Sequence, residues 1–342
     1  MKKLHAILLA SITLYSCRSA TNLVYISVQE PAPVTLASGI KKVGIINRSI
    51  STDKKKALDF VDKALTPEVE NLEVLAAEAS VIGLADELIK NNRFTDVIAF
   101  NSIDFASNTP GRFQQPLSWD IIARICQDKH VDALFSLELF DTNSRVTDAA
   151  LTLTLGRKAG IQHQANMLAT IKTGWRIYDP IDRVVVDEFP ITKEVNFLVD
   201  GFNLVNSTGA KLNRRDAITS VSHQAGADYA SRLVPYWIRV NRDYYVRGNK
   251  SFSIAKRMAQ TGNWNGAAGL WEKETNARKS KIAGRACYNM AIICEINGQL
   301  DQAIQWAQKA YENYNNKLAL RYINILRNRQ ETNKLVKYQQ AD

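Results

Sequence analysis

Apolar and polar positions follow several distinct rhythms along this chain. In NLVYISVQEPAPVTL, Val24, Ile26 and Val28 alternate with polar or exposed-type positions until Pro31 and Pro33 interrupt them. That pattern predicts an edge strand and then a turn. The compact run Val43–Ile46 predicts a central strand. Between Pro67 and Phe94, Leu72, Leu75, Ala76, Ala79, Ile82 and Leu88 recur at three- and four-residue spacings, the signature of one or two amphipathic helices. TDVIAF reads as a strand, SWDIIARICQDKH as a helix with Ser118 at its N-cap, and VDALFSLELFD as a buried strand. Around the turn DPID, Ile171, Trp175 and Ile177 are expected to face Val184, Val186 and Phe189. A helix from about Asp216 to Leu233 and the strand YWIRVNRDYYV close the region. The segment Asp141–Gln164 has little rhythm, and an irregular hairpin and a mobile loop both fit it. Mixed ordering of this kind predicts an α+β fold, sandwich-like with a mixed sheet.

A different rhythm begins near residue 249. Gly262, Trp264 and Ala267 stand thirty-six positions before Gly298, Leu300 and Ala303, and Ala255 aligns with Ala291. The two segments resemble tetratricopeptide (TPR) repeats, in which small residues let paired helices approach and a glycine ends the first of each pair. KLALRYINILRNR, with Leu318, Leu320, Ile323 and Leu326, supplies a further helix to cap the stack. The domain division expected is therefore a signal peptide at 1–16, an α/β domain at 17–248, all-α TPR-like repeats with a capping helix at 249–330, and a polar tail at 331–342.

The opening MKKLHAILLASITLYSC has two lysines, a short apolar core from Ala6 to Leu14, and then small and polar residues. The core is about half the roughly 20 residues a membrane span needs, so it reads as a secretory signal. Leu14, Tyr15, Ser16 and Cys17 resemble a bacterial lipobox. The resemblance implies that Cys17 becomes the lipidated first residue of the mature protein, anchored by acyl chains that contribute about 0.8 kcal/mol per buried methylene. A plain signal peptide cut nearby would instead leave Cys17 as an incidental thiol. Cys126, Cys287 and Cys294 are an odd remainder. Cys287 and Cys294, seven apart in a helical pattern, would lie about 10 Å apart, too far for a disulfide. All three read as small buried hydrophobes.

The succession VGIINRS, a helix ending in NNRF, TDVIAF, and WDIIARICQDKHVDALFSLEL resembles a small α/β domain of envelope lipoproteins. Its relatives are the curli-secretion lipoprotein, the lipoprotein activators of penicillin-binding proteins and the N-terminal domain of the Tol-system propeller protein. The matching residues are Arg93, Phe94, Val97, Asp132, Ala133 and Leu134, over roughly a third of the chain. Lipobox, domain and repeats together look like a family of Gram-negative lipoproteins. The resemblance implies a cell-envelope location, lipid-anchored, at the outer membrane and facing the periplasm.

Charge separates the halves. From Arg239 onward there are 18 Lys and Arg against 8 Asp and Glu, whereas Arg18 to Ile238 holds 24 against 26. The positive half could attract acidic proteins, anionic headgroups or polyanionic glycans, or could be a set of solvated helix faces. Arg285, Lys309 and Arg321 are the candidate contributors of charge to a partner surface, and Trp271 and Trp306 are either groove anchors or core. The partners expected are a membrane, through lipid on Cys17, and a protein, acidic in character. No nucleic-acid motif is present, and none is expected to bind.

Catalytic signatures are sparse. His130, His163 and His223 lie far apart, with no Cys, Asp or Glu at metal-ligand spacing, so neither a metal nor another cofactor is expected. There is no G-x-S-x-G, H-E-x-x-H or Walker sequence. Asp132 and Glu138 flank an apolar strand, as carboxylates commonly do, and His130 reads as a capping or surface residue. The expected function is a non-enzymatic scaffold or adaptor of the envelope that binds protein through its repeats. The alternatives are an oligomeric secretion or pore-assembly lipoprotein, which would need a long amphipathic hairpin, and an envelope enzyme.

Overall fold

The computed structural model describes residues 20–50, 68–91, 93–100, 112–154, 160–200 and 208–340. The segment expected as a signal peptide, and Cys17, lie outside them. The chain divides into two compact units, one of Ala32–Pro235 with residues 339–342, the other of residues 1–31 with Tyr236–Tyr338.

The strands are β1 (Thr21–Glu30), β2 (Lys42–Asn47), β3 (Asp96–Phe100), β4 (Ala133–Thr154), β5 (Gly160–Asp179), β6 (Val184–Asp200) and β7 (Tyr236–Tyr245). The helices are α1 (Glu68–Lys90), α2 (Trp119–Lys129), α3 (Thr208–Ala230), α4 (Lys250–Gln260), α5 (Trp264–Glu274), α6 (Ser280–Ile296), α7 (Leu300–Glu312) and α8 (Lys317–Gln340). The fold is α+β with a mixed sheet and a run of C-terminal helices.

The first unit is a three-layer arrangement around a sheet of order β3-β2-β4-β5-β6. β2 is parallel to β3 and β4, while β4, β5 and β6 are antiparallel. Alternation sorts the strand residues by face. Val43, Ile45, Ala133, Phe135, Leu137, Ile171, Trp175 and Ile177 share a core with Leu84 and Leu88 of α1 and Ile218 and Tyr229 of α3. Ile46, Leu134 and Tyr178 face Ile122, Ile125 and Cys126 of α2 on the other side. Each large apolar side chain buried this way contributes about 1.5–3 kcal/mol. Asp132 accepts from the backbone N–H of Lys41 and Lys42 at 2.9 and 2.7 Å, tying the start of β4 to that of β2. His130 caps α2 with a positive φ of 57°. Phe94 is buried edge-on against Phe135, and Arg93 donates to the Leu36 carbonyl at 2.9 Å. Ser118 sits at the N-cap of α2, with its side chain making no capping bond.

Within the segment expected as a hairpin or a loop, residues 141–154 and 160–164 are strand residues of β4 and β5. The backbone of β4 pairs with β5 from Leu134↔Tyr178 to Thr154↔Gly160, and β5 with β6 as far as Gln164↔Asp200. Because β2 pairs with β4 only through Val43–Asn47, β4–β6 run on as a three-stranded antiparallel extension. Register shifts at Leu137/Leu139 and Val146/Asp148 add local twist to β4.

The second unit draws on both ends of the segment expected as the α/β domain. β1 and β7, at opposite ends of the α/β segment in the sequence, pair antiparallel from Thr21↔Tyr245 to Glu30↔Tyr236. They form a separate two-stranded ribbon that shares its core with α4–α8. The helices stack as the hairpins α4–α5 and α6–α7, followed by α8. Gly262 and Gly298 take matching positive φ values of 80° and 75° at the hairpin turns, and Ala255, Ala267, Ala291 and Ala303 are fully buried. The repeat seen in the sequence is thus a repeat of backbone geometry. Residues 331–340 continue α8 instead of forming a tail, because Val336, ten residues after Leu326, is buried too.

Candidate functional site

Among the described residues, the α/β unit carries a buried ionic cluster, which the pattern of the sequence does not reveal. Its centre is Glu138, fully buried on β4 between the residues where the register with β5 shifts. Arg48, directly after β2, donates from Nη1 to both carboxylate oxygens at 2.8 and 2.7 Å. Tyr178 of β5 donates its hydroxyl to Oε1 at 3.0 Å, and Arg176 Nη1 stands 3.4 Å from the same oxygen. The two arginines then reach backbone: Arg48 Nη2 donates to the Gln115 carbonyl and Arg176 Nη1 to that of Gln114, each at 3.1 Å. Leu117 N–H donates to the Tyr178 hydroxyl at 3.2 Å, and the Arg176 guanidinium lies 5.7 Å from the Phe113 ring centroid.

Burial, and then the Glu138 charge, push the Tyr178 phenol above its ordinary pKa, so it remains a hydrogen-bond donor at neutral pH. Burial alone would lower the pKa of Arg176, but bonds to Tyr178 and Glu188 and the Glu138 charge raise it. A carboxylate held by Arg48 on both oxygens is poorly suited to proton transfer. The arrangement instead pins Phe113–Leu117 across the strands. Polar residues inside LFSLELF and GWRIYD were the available signal, but alternation cannot say that Glu138, Arg176 and Arg48 converge.

In the helical unit, the inner face of the ribbon lies along one face of α6. Arg242 of β7 makes a two-pronged pair with Glu295, both bonds 2.8 Å, and Tyr322 of α8 donates its hydroxyl to the same carboxylate. The Asn289 side-chain amide accepts from Tyr245 N–H and donates to Tyr245 C=O, both at 2.7 Å, so it stands in for a further strand on the β7 edge. Tyr288 packs edge-to-face on Tyr245 and tilted against Tyr322. Arg329 of α8 donates to the Gln29 carbonyl at 2.9 Å, holding β1.

The residues singled out in the sequence do not converge. Arg285 is turned to an internal purpose: Nη1 donates to the Arg247 carbonyl, and the guanidinium stands 4.9 Å from the Tyr245 ring centroid. Lys309, on α7, donates to Asn276 at 3.2 Å and stands 5.2 Å from the Trp306 ring centroid. Trp271 is fully buried beside Tyr244 and belongs to the core, whereas Trp306 is half-buried. Arg321 is exposed on α8. Around it, the outer face of α8 exposes Leu320, Arg327, Lys334, Leu335, Lys337 and Tyr338, with Lys334 paired to the exposed Glu331 at 2.7 Å. His223 meets Asp86 at 3.0 Å on the surface of the α1–α3 pair.

Cys126, Cys287 and Cys294 are free and buried. Among the described residues, no group of three or more His, Cys, Asp or Glu is placed to hold a metal ion, and no helix is long and apolar enough to cross a membrane.

Comparison with solved structures returns a PelC dodecamer from Paraburkholderia phytofirmans, 12% identical over 62% of this chain and 96% of that one, with a TM-score of 0.24. It also returns a neuraminyllactose-binding hemagglutinin homolog from Helicobacter pylori, 10% identical over 67% of this chain and 94% of that one, with a TM-score of 0.26. No curated protein matches the sequence. Residues 253–339 match the family described as Domain of unknown function (DUF6340). Residues 40–245, more than half of the chain, match Domain of unknown function (DUF8603), and the chain belongs to that family.

Proposed function

We propose that this protein is a lipid-anchored, periplasm-facing envelope lipoprotein that acts as a non-enzymatic adaptor in envelope assembly or maintenance. It binds a protein partner through its C-terminal helical unit, whose hairpins are of TPR-like type. One observation carries the choice of surface. The face of α6 that bears Arg285, Tyr288, Asn289 and Glu295 is occupied by the chain's own ribbon, while the outer face of α8 is exposed, basic and partly apolar. Arg321, Arg327, Lys334 and Lys337 suit an acidic partner, and Leu335 and Tyr338 offer it apolar contact. Crosslinking in cells followed by affinity purification tests this, comparing the wild type with the triple variant Arg321→Glu, Arg327→Glu, Lys334→Glu. The same crosslinked species at the same yield in both would remove α8 as the binding face. Metabolic labelling with a fatty-acid analogue tests the anchor, which should mark the wild type and not Cys17→Ala.

A second reading, an oligomeric secretion or pore-assembly lipoprotein, draws support from the length of β4–β6. The backbone pairing of β4 and β5 out to Thr154↔Gly160 supports the length that this reading requires of its amphipathic hairpin. A ring in electron micrographs of detergent extracts would favour it, and a monomer at every concentration would dismiss it.

A further inference from the structure

The ribbon has two faces of opposite character. Val24, Ile26 and Val28 are buried with the helices, but the alternate positions, paired Leu23↔Asp243, Tyr25↔Asn241, Ser27↔Arg239 and Gln29↔Trp237, turn to solvent. Leu23 is 51% exposed, Tyr25 60% and Trp237 67%, and the Arg239 guanidinium lies 5.9 Å from the Tyr25 ring centroid. Trp237 is the most exposed tryptophan in the described chain. Nothing in the packing of the unit calls for a leucine, a tyrosine and a tryptophan in water on one side of a two-stranded ribbon. Rings with an apolar body and a polar edge, accompanied by arginine, are what the boundary between acyl chains and headgroups selects.

Chain length brings that boundary close. Cys17 precedes Thr21, the first residue of β1, by four positions. Four residues at about 3.3–3.6 Å each reach at most roughly 14 Å. A strand beginning so near a lipidated residue cannot stand far from the bilayer. The stretch from Arg239 onward, with 18 basic against 8 acidic residues, complements anionic headgroups. Asp243, at the Leu23 end, is the one acidic group on this face.

We infer that the outward face of the β1–β7 ribbon rests in the headgroup layer of the anchoring membrane, with Leu23, Tyr25 and Trp237 inserted and Arg239 paired with phosphate. The inference rests on the lipid anchor at Cys17, proposed above. One acyl-bearing residue and one shallow protein face then act together, the two-signal arrangement that makes peripheral attachment stable and fixes orientation.

The test uses the full-length lipoprotein, purified in detergent and reconstituted into vesicles of phosphatidylethanolamine and phosphatidylglycerol, with and without lipids brominated near the headgroup end of their chains. Wild-type tryptophan emission should be quenched by the brominated lipid, and Trp237→Phe should abolish most of that loss. Tyr25→Trp in the Trp237→Phe background should restore it, which guards against a folding artefact. Equal quenching of wild type and Trp237→Phe, or none in a protein that floats with vesicles and carries label on Cys17, overturns the inference and leaves the anchor standing. Failure to float, with Cys17 unlabelled, overturns both.

Discussion

The carbonyl oxygen of His223 on α3 lies 1.9 Å from the place where a Cβ on Gly83 of α1 would stand. The relation is reciprocal, since a Cβ on Gly226 would meet the Ser80 carbonyl oxygen at the same distance, and Ser80 Oγ donates to the Ser222 carbonyl at 2.9 Å. Two helices therefore touch backbone to backbone. Neither helix can yield without lifting from the sheet. Gly83→Ala should destabilise the α/β unit by about 1–3 kcal/mol or more, through overpacking. Gly269 in α5 has nothing within 4 Å of its missing Cβ, so Gly269→Ala should stabilise by up to about 1 kcal/mol. Urea denaturation of the two variants separates the effects.

Glu138 is the second place where one atom change should be felt. Glu138→Gln removes the buried charge that Arg48 holds on both oxygens, while Arg176 keeps its pair with Glu188, and should cost about 3–5 kcal/mol. Replacing Tyr178 by Phe removes only one donor to that carboxylate and should cost about 1–2 kcal/mol. Equal losses in the two variants, measured by chemical unfolding, would contradict this ranking.

The Glu295 site makes a parallel prediction in the helical unit. Arg242→Met should loosen the ribbon from α6, with a loss of about 3 kcal/mol. Hydrogen exchange should then accelerate at the amides of β1 and β7 while those of β2–β4 keep their protection. Uniform acceleration through both units would show that the pair does not act locally.

The thiols provide a chemical readout. Burial pushes Cys126 up to about 11, with the Asp132 and Asp179 charges adding to it, and burial also pushes Cys287 up to about 11. At pH 8 only on the order of one such thiol in a thousand is ionised. Native protein should therefore resist iodoacetamide at Cys126 and Cys287 and react at both in denaturant. Labelling by mass spectrometry of the native protein at pH 8 would reverse the conclusion that they are packed and inert.

How much of this could be read beforehand depended on the range of the interaction. The alternation Val24-Ile26-Val28 made β1 visible as a strand, and the recurrence of Gly262 at Gly298 made the hairpins visible, because both are local. Partner choice was not local: strand β7 looked like the last strand of the α/β sheet and instead pairs with β1. Asp141–Gln164 lacked rhythm because backbone pairing there continues across the register shift at Val146/Asp148, which breaks simple alternation. Among site residues, Trp271 could be weighed only as groove anchor or core, and it is core. The engagement of Arg285 with Arg247 and Tyr245 could not be seen, since exposed-type residues are recruited by tertiary neighbours that no window of sequence contains.

The β1–β7 ribbon also sets an order of events. β1 precedes the entire α/β segment in the chain, yet its strand partner among the described residues is made after that segment. Until residue 245 has emerged, Val24, Ile26 and Val28 have neither a ladder nor a helix to cover them. Strand β1 therefore stays unpaired until β7 is made and is completed last, by closure of a very long loop. Any interruption of synthesis before β7 would leave the backbone edge of β1 and its apolar face uncovered, the kind of exposed edge that other chains pair with.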